Sequence, residues 1–540
     1  MRWMQGGHER LFRRPGAAGF NLAVMQPGRF PVNTHQSHQS HEPHQSSRDF
    51  FRHPGTYALI AAILGSGMAF IDGTVVNVAT TTLQRAFGAT AGEVQWVVEA
   101  YALTLSAFLL VGGKLGDTYG QKRIFMWGSG LFGVSSVLCG VTDSLLSLVL
   151  ARALQGLAAA LLIPGSLALI TSAYAPAERG RAIGIWSGVT AMMGAVGPFL
   201  GGWLIDHLSW RAAFLINLPM AALAVYFAWR LKANQNSANR QSLNWTGAVS
   251  MAVVLAALTY ALMSAQSRTL YMVPAAVVAI VFFLIFRFSE RRAATPLFPA
   301  ALLQSPVFVA VNAITLFLYA ALWGAMYFLP MNLIQIHHYT ASQAGAALAP
   351  MILTLFVLSP WTGGLLARFG ARRSLAVGSC IVAAGLIGIA MPGLNGSYWS
   401  TFFVPMLILG LGMSVCVSPL TTTVMSSAPA DQLGIASGIN NAVSRVAGLL
   451  AVALFGLILS LSFAHHLDTM LHTLNLTDAA RAETDRLKPL LAAAQYASPV
   501  IQHAAESSFV ASFRVVIACS TLLALTSAAC AWWMLKEERA

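Results

Sequence analysis

The feature that most constrains this chain is a succession of apolar runs, each about 20 residues long, that begins at Thr56 and continues almost to the C-terminus. A run of that length crosses the hydrocarbon core of a bilayer as a helix, because lipid-exposed backbone must satisfy its own hydrogen bonds. Composition agrees. Only 9% of the residues are charged, against roughly 25% in a soluble domain. About fourteen runs can be counted, opening near Thr56, Glu93, Arg123, Leu145, Arg179, Ala213, Trp245, Leu270, Pro306, Ala341, Ser374, Trp399, Ala436 and Phe509. The expected fold class is therefore an all-α integral membrane protein with about 14 transmembrane helices.

A net charge of +13 would suit a nucleic-acid binder, but the basic residues fall in alternate loops, as membrane orientation requires. Lys114, Lys122 and Arg123, then Arg179 and Arg181, then Arg230, Lys232 and Arg240, then Arg287, Arg291 and Arg292, then Arg368, Arg372 and Arg373 mark one side, expected to be cytoplasmic. No nucleic-acid partner is expected. Cys139, Cys380, Cys416, Cys519 and Cys530 all lie in apolar runs, where cysteine behaves as a small hydrophobe, so no structural disulfide is expected. The first 50 residues are polar and show no cleavable signal peptide. Within them His35, His38, His41 and His44 recur every third residue. A metal site and a disordered tail both fit that run, and Met25 is an alternative start.

The chain also repeats itself. Residues 113–123 read GKLGDTYGQKR, and 363 − 113 = 250 positions later the text is GGLLARFGARR. Gly184 and Gly194 likewise match Gly438 and Gly448, at 438 − 184 = 254. A duplication at that offset leaves six helices, two inserted helices and six more. The expected divisions are a polar tail over 1–52, a six-helix bundle over 53–232, the inserted pair with its linkers over 233–304 and a second bundle over 305–540. An external loop is expected at about 464–508, and it could contact a partner such as a periplasmic adaptor, gate exit, or be a plain solvated hairpin.

Several stretches carry a family resemblance. GKLGDTYGQKR resembles the loop motif of the major facilitator superfamily, FIDGTVVNVA resembles the first-span motif of its fourteen-span drug:proton antiporters, and LARALQGLAAALLIP and GAVGPFLGGWL resemble their fourth-span and fifth-span motifs. WRAAFLINLP and GIASGINNAVSRVAG are further text typical of that family. The resemblance implies two six-helix bundles plus two inserted helices. It implies that Gly113, Leu115, Asp117, Gly120, Lys122 and Arg123 form the conformational loop, with Asp117, Lys122 and Arg123 stabilising an outward-open state. It also makes Gly188, Gly194, Gly197, Pro198, Gly201 and Gly202 the antiporter helix motif, and Arg152, Gln155 and Gly156 the fourth-span motif. Small residues at that spacing let helix backbones approach, and Pro198 frees a carbonyl.

Ionisable residues inside spans are costly to bury, which makes each a functional candidate. Asp72 lies in the first span, Glu99 in the second and Arg152 in the fourth. Desolvation favours the neutral form of a carboxyl group, so it can load a proton on one side and release it when a cation approaches. The resemblance places Asp72 and Arg152 at the positions assigned to proton transfer, and Glu99 where many members are uncharged. A helix-tying salt bridge for Asp72 with Arg152, and a cavity-lining or interfacial role for Glu99, are the alternatives. His337 and His338 read as interfacial. Trp96, Met192, Met193, Phe199, Tyr319, Trp323, Met326 and Tyr327 could line a pocket or face lipid. The chain departs from the family at NVATTTLQ, which lacks a proline, and at Ala367, which replaces the acid of the loop motif in the second repeat.

The expected function is proton-coupled export of hydrophobic or cationic compounds across the bacterial cytoplasmic (inner) membrane. The expected partners are membrane lipid, protons and a small-molecule substrate. Export of a specific metabolite or siderophore is the rival transporter reading, and a non-transporting scaffold or receptor is the rival class. Nucleotide loops, metalloprotease helices, serine elbows and paired cysteine ligands are absent from the text, so neither an enzyme nor a cofactor or metal is expected.

Overall fold

Each apolar run folds as a helix, and polar residues at the interruptions supply the caps. Before the second helix, the Thr90 hydroxyl accepts from the Glu93 amide at 3.2 Å while Glu93 Oε2 accepts from the Thr90 amide at 2.8 Å. This capping box accounts for Glu93. The computed structural model describes residues 55–231, 244–264, 269–293, 296–362, 365–394, 396–429, 433–472, 477–496 and 498–535. The four-histidine run, Lys232, Arg240 and Gly363 lie outside them, as do the side chains of Asp117, Arg179, Arg181, Leu365, Ala367 and Arg368.

The first half comprises α1 (Thr56–Phe87), α2 (Ala91–Tyr119), α3 (Gln121–Val141), α4 (Leu145–Ala173), α5 (Pro176–His207) and α6 (Asn217–Arg230). Next come α7 (Trp245–Ser264) and α8 (Thr269–Arg292). The rest is α9 (Pro306–Gln335), α10 (Ala349–Thr362), α11 (Leu365–Ala390), α12 (Phe403–Ser426), α13 (Leu433–His472) and α14 (Pro499–Met534). Among the described residues, 13 helices are long and apolar enough to cross a membrane. The fourteenth is α2, a 29-residue helix that carries Glu93, Glu99, Lys114 and Asp117. Helices α13 and α14 run to His472 and from Pro499, so both ends of the expected external loop are helical. What remains there holds a short helix, Asp478–Leu487, and a 3₁₀ turn, Lys488–Ala493.

The textual duplication has a backbone counterpart. Gly120 and Gly370, 250 positions apart, both hold positive φ, at 95° and 74°, a region that glycine enters without a Cβ penalty. Each repeat then ties to the last helix of its own half. Lys122 Nζ donates to the Trp229 and Leu231 carbonyls at 2.9 and 2.5 Å, closing the end of α6. The Arg372 guanidinium lies 4.3 Å over the Trp532 ring of α14. At the opposite side Arg211 reaches the Thr142 carbonyl beyond α3, and Arg514 reaches the Ala390, Met391 and Pro392 carbonyls beyond α11. These pairs share one offset, 532 − 229 = 303 and 514 − 211 = 303. It exceeds the other repeat offset by 303 − 254 = 49 residues, an excess that falls between Gly448 and Arg514.

Close backbone approach positions the first half. A Cβ on Gly156 would meet the Tyr101 carbonyl and Thr104 Oγ1, and one on Gly112 would meet the Ala160 carbonyl, so α2 and α4 pack at glycine distance. Gly197 and Gly201 of α5 do the same against Ile71, Thr74 and Val75 of α1. Pro198 cannot donate to the Gly194 carbonyl. The Thr74 hydroxyl sits 3.4 Å from that oxygen, although it also faces the Phe70 and Ile71 carbonyls at 3.0 Å.

Contacts between the halves gather on the side opposite the basic loops. There Gln335 of α9 meets Gln84 of α1 at 3.3 Å. Gly202 packs against the Ala341 backbone, and Gly345 against that of Pro198.

Candidate functional site

Four helices of the first half bring polar side chains to one buried point. Asp72 of α1, Ser136 of α3, Arg152 and Gln155 of α4 and Asn217 of α6 are each at most 1% exposed. Arg152 Nη1 donates to Asp72 Oδ2 at 2.5 Å, while Gln155 Nε2 and Asn217 Nδ2 donate to Asp72 Oδ1 at 2.9 and 3.0 Å. Arg152 Nε donates to the Val97 carbonyl of α2 at 3.0 Å, and its guanidinium lies 4.3 Å from the centre of the Tyr101 ring. Gln155 and Asn217 both donate to Ser136 Oγ, at 2.7 and 3.3 Å. Three donors, one of them a formal cation, thus converge on one carboxylate.

This geometry brings Asp72, Arg152 and Gln155 together but changes the environment expected for Asp72. Instead of an apolar cavity, it occupies a buried polar network in which both carboxylate oxygens accept hydrogen bonds. Such a buried pair does little for net stability because desolvation offsets attraction, yet removing one partner is strongly destabilising. Sequence reading missed Ser136 and Asn217. The asparagine was visible as the polar interruption in WRAAFLINLP, but its partner lies 145 positions away.

Glu99 is placed differently. It is 1% exposed, its Oε2 has no hydrogen-bond partner, and its Oε1 faces Gln95 Nε2 at 3.4 Å. Gln95 also donates across the halves to the Val452 carbonyl of α13 at 2.9 Å. Tyr327 of α9 lies within electrostatic reach of the carboxylate. One face of α2 thus carries a carboxylate with an unsatisfied oxygen into the contact between halves. Two residues along α2, Tyr101 lies under the Arg152 guanidinium and within electrostatic reach of Arg445 of α13.

The loop residues lie at the other end of α2. Gly113 approaches Pro164, Leu115 packs beside Val111, and Arg123 is exposed. Lys122 acts within its own half, as a cap on α6. On α5, Gly194, Gly197 and Gly201 face α1, Gly188 approaches Phe356 of α10, and Pro198 and Gly202 face the second half. Among the aromatic and methionine candidates, Met326 and Tyr327 are buried in the second-half core, whereas Met192 and Phe199 are each 49% exposed. Among the described residues no His, Cys, Asp and Glu cluster could hold a metal ion.

A duplicated bundle of membrane-crossing helices, with buried charges at the contact between its halves, defines the class of secondary transporters. Residues 62–452 match the Major Facilitator Superfamily, and the chain belongs to it. It is 31% identical over 409 residues to the multidrug resistance protein Stp of Mycobacterium tuberculosis (strain CDC 1551 / Oshkosh), covering 74% of this chain and 75% of that protein. It is 32% identical over 412 residues to the tetracenomycin C resistance and export protein of Streptomyces glaucescens, covering 74% and 75%. The methylenomycin A resistance protein of Bacillus subtilis (strain 168) is 33% identical over 416 residues, covering 76% and 88%. In fold, the chain resembles an inward-facing bacterial homologue of the human lysosomal transporter Spinster, with a TM-score of 0.59 at 18% identity over 89% of this chain and 96% of that one. A D-xylose–proton symporter gives a TM-score of 0.57 at 12% identity over 89% and 98%.

Proposed function

We propose that the chain is a proton-driven exporter of hydrophobic, often cationic compounds, working in the cytoplasmic membrane of a bacterium with its basic loops inside. Relatives named for multidrug resistance and antibiotic export support the substrate class. The observation that carries the mechanism is Glu99, a buried carboxylate with an unpartnered oxygen where α2 meets the second half. Burying a charge without a partner is costly, so a carboxylate in this setting is one that can trade a proton for a cationic group. A cation arriving from the cytoplasm displaces the proton, and a proton arriving from outside displaces the cation. One charge moving down 100 mV supplies roughly 2.3 kcal/mol, before any pH gradient is counted.

Asp72 and Arg152 serve this cycle as the fixed polar core of the first half. Through Tyr101 they adjoin α13, so a change at the contact between halves is felt at the pair. The test is efflux of a panel of fluorescent cations from cells, with and without a protonophore, for the wild type and Glu99→Gln. The expected result is protonophore-sensitive efflux that Glu99→Gln abolishes at normal membrane abundance. Unchanged, protonophore-sensitive efflux in the variant would overturn the role of Glu99.

A further inference from the structure

On the side opposite the basic loops, one turn of α2 beyond Glu99, lies a small cavity between the halves. It offers about 20 Å³ to the centre of a water molecule, enough for a single water. Its walls include Gln95 of α2, Tyr327 of α9, and Gly456 and Ser460 of α13, and Pro489 and Leu491 of the external 3₁₀ turn also line it. The cavity therefore touches both halves, and of its wall residues Gln95 is the one hydrogen-bonded to Glu99.

We propose that this cavity is a one-water proton port, through which protons from the external side reach Glu99, and that Gln95 is its stopper. The inference rests on Glu99 being the exchanging carboxylate. Gln95 Nε2 divides itself between Glu99 Oε1 at 3.4 Å and the Val452 carbonyl at 2.9 Å. The long bond is the one to the carboxylate. Because Val452 belongs to the other half, sliding of α13 past α2 draws the amide off Glu99 and lets the cavity water take its place. A hydronium ion there transfers its proton to the carboxylate: one hydronium O–H bond breaks, one O–H bond forms on Glu99, and neutral water stays behind.

The surroundings are built for this arrangement. A Cβ on Gly456 would meet the Gln95 amide, so glycine at this position leaves room for that amide against α13. Leu491 holds φ 57° and ψ −138° while 4% exposed, a strained backbone of the kind retained where a segment must stay in one place. The turn is anchored by Lys488, whose Nζ lies 2.5 Å from both Asp468 Oδ1 and Asp485 Oδ1. These charges are paired among themselves. The other groups facing the site are Tyr327 of α9 beside Glu99, and Arg152 and Arg445, both within electrostatic reach of Tyr101 two residues along α2.

The test uses the full-length protein in proteoliposomes, with exchange of the best-transported cation of the panel measured against external pH. Gln95→Leu replaces the amide with an apolar plug. It should demand about tenfold more external protons for half-maximal rate, the equivalent of losing roughly one hydrogen bond at the port, while the cation KM stays unchanged. Ser460→Cys, in a background lacking the five native cysteines, should show the same acid shift after reaction with an impermeant thiol reagent added outside. An unshifted pH profile in Gln95→Leu, or a Ser460→Cys protein whose profile is untouched by the reagent, would overturn the port. Glu99→Gln separates the two readings: if it transports with the wild-type pH profile, the exchanging carboxylate is misassigned, whereas loss of proton-driven exchange in it beside unshifted port variants rejects the port alone.

Discussion

Asp206, in the last turn of α5, accepts a hydrogen bond from the Ser342 amide at 2.8 Å, across the contact between the two halves. The Ala341 amide donates to the same carboxylate at 3.2 Å, and the Ser342 hydroxyl does so as well. With the Gln84 to Gln335 contact and the bond from Gln95 to Val452, it makes three polar ties that hold this side shut. The ties involve different helix pairs, so opening requires all of them to yield together.

Asp206→Ala is expected to favour opening on this side. A hydrogen bond to a charged group is worth about 1.5–3 kcal/mol, enough to raise the open population tenfold or more. A single cysteine at Gln335, in a background lacking native cysteines, should then react faster with an impermeant thiol reagent. Equal labelling rates with and without Asp206 would show that the clamp is not what keeps the side closed.

Asp72 and Glu99 should separate in their effect on stability. Asp72→Ala strands Arg152 in a buried site, and loss of one partner from such a pair costs about 3–5 kcal/mol. Glu99→Gln strands nothing, since Glu99 has no cationic partner among the described residues. Thermal unfolding in detergent should show a clear fall in Tm for the first variant and little change for the second. Equal Tm values would mean that the Asp72 network is not a structural element.

Gly156→Ala places a methyl group onto the Tyr101 carbonyl and Thr104 Oγ1. Overpacking of this kind costs about 1–3 kcal/mol, and here it also pushes α2, and Glu99 with it, away from α4. Both stability and transport rate should fall. A variant with normal Tm and normal transport would show that the approach of the two helices has slack.

The loop repeats give an asymmetric forecast. Lys122→Ala leaves the Trp229 and Leu231 carbonyls uncapped and should lower transport with modest loss of stability, about 0.5–1.5 kcal/mol. Asp117→Ala should also reduce transport, whereas Ala367→Asp should be mild, because the second repeat functions without an acid. Efflux assays on the three variants side by side check this, and a mild Asp117→Ala would reduce the motif to a membrane anchor.

Period and length alone determined the helical membrane fold, since an apolar run that must cross lipid has few ways to satisfy its backbone. The duplication was equally legible, because a glycine that must take positive φ leaves a fixed mark in the text, as Gly120 and Gly370 do. The acid at Asp72 and the base at Arg152 could be read as intramembrane charges, but their pairing could not. Hydrogen bonds join side chains 80, 83 and 145 positions apart, and one-dimensional spacing carries no record of them. Tertiary structure therefore decided that both oxygens of Asp72 are partnered while one of Glu99 is not. It also decided that Lys122 caps its own half, and that Gln95, unremarkable as text, stands between a buried carboxylate and a water-sized cavity. The physical reason is that burial and partner number set the chemistry of a charged side chain, and both are properties of neighbours that only folding brings together.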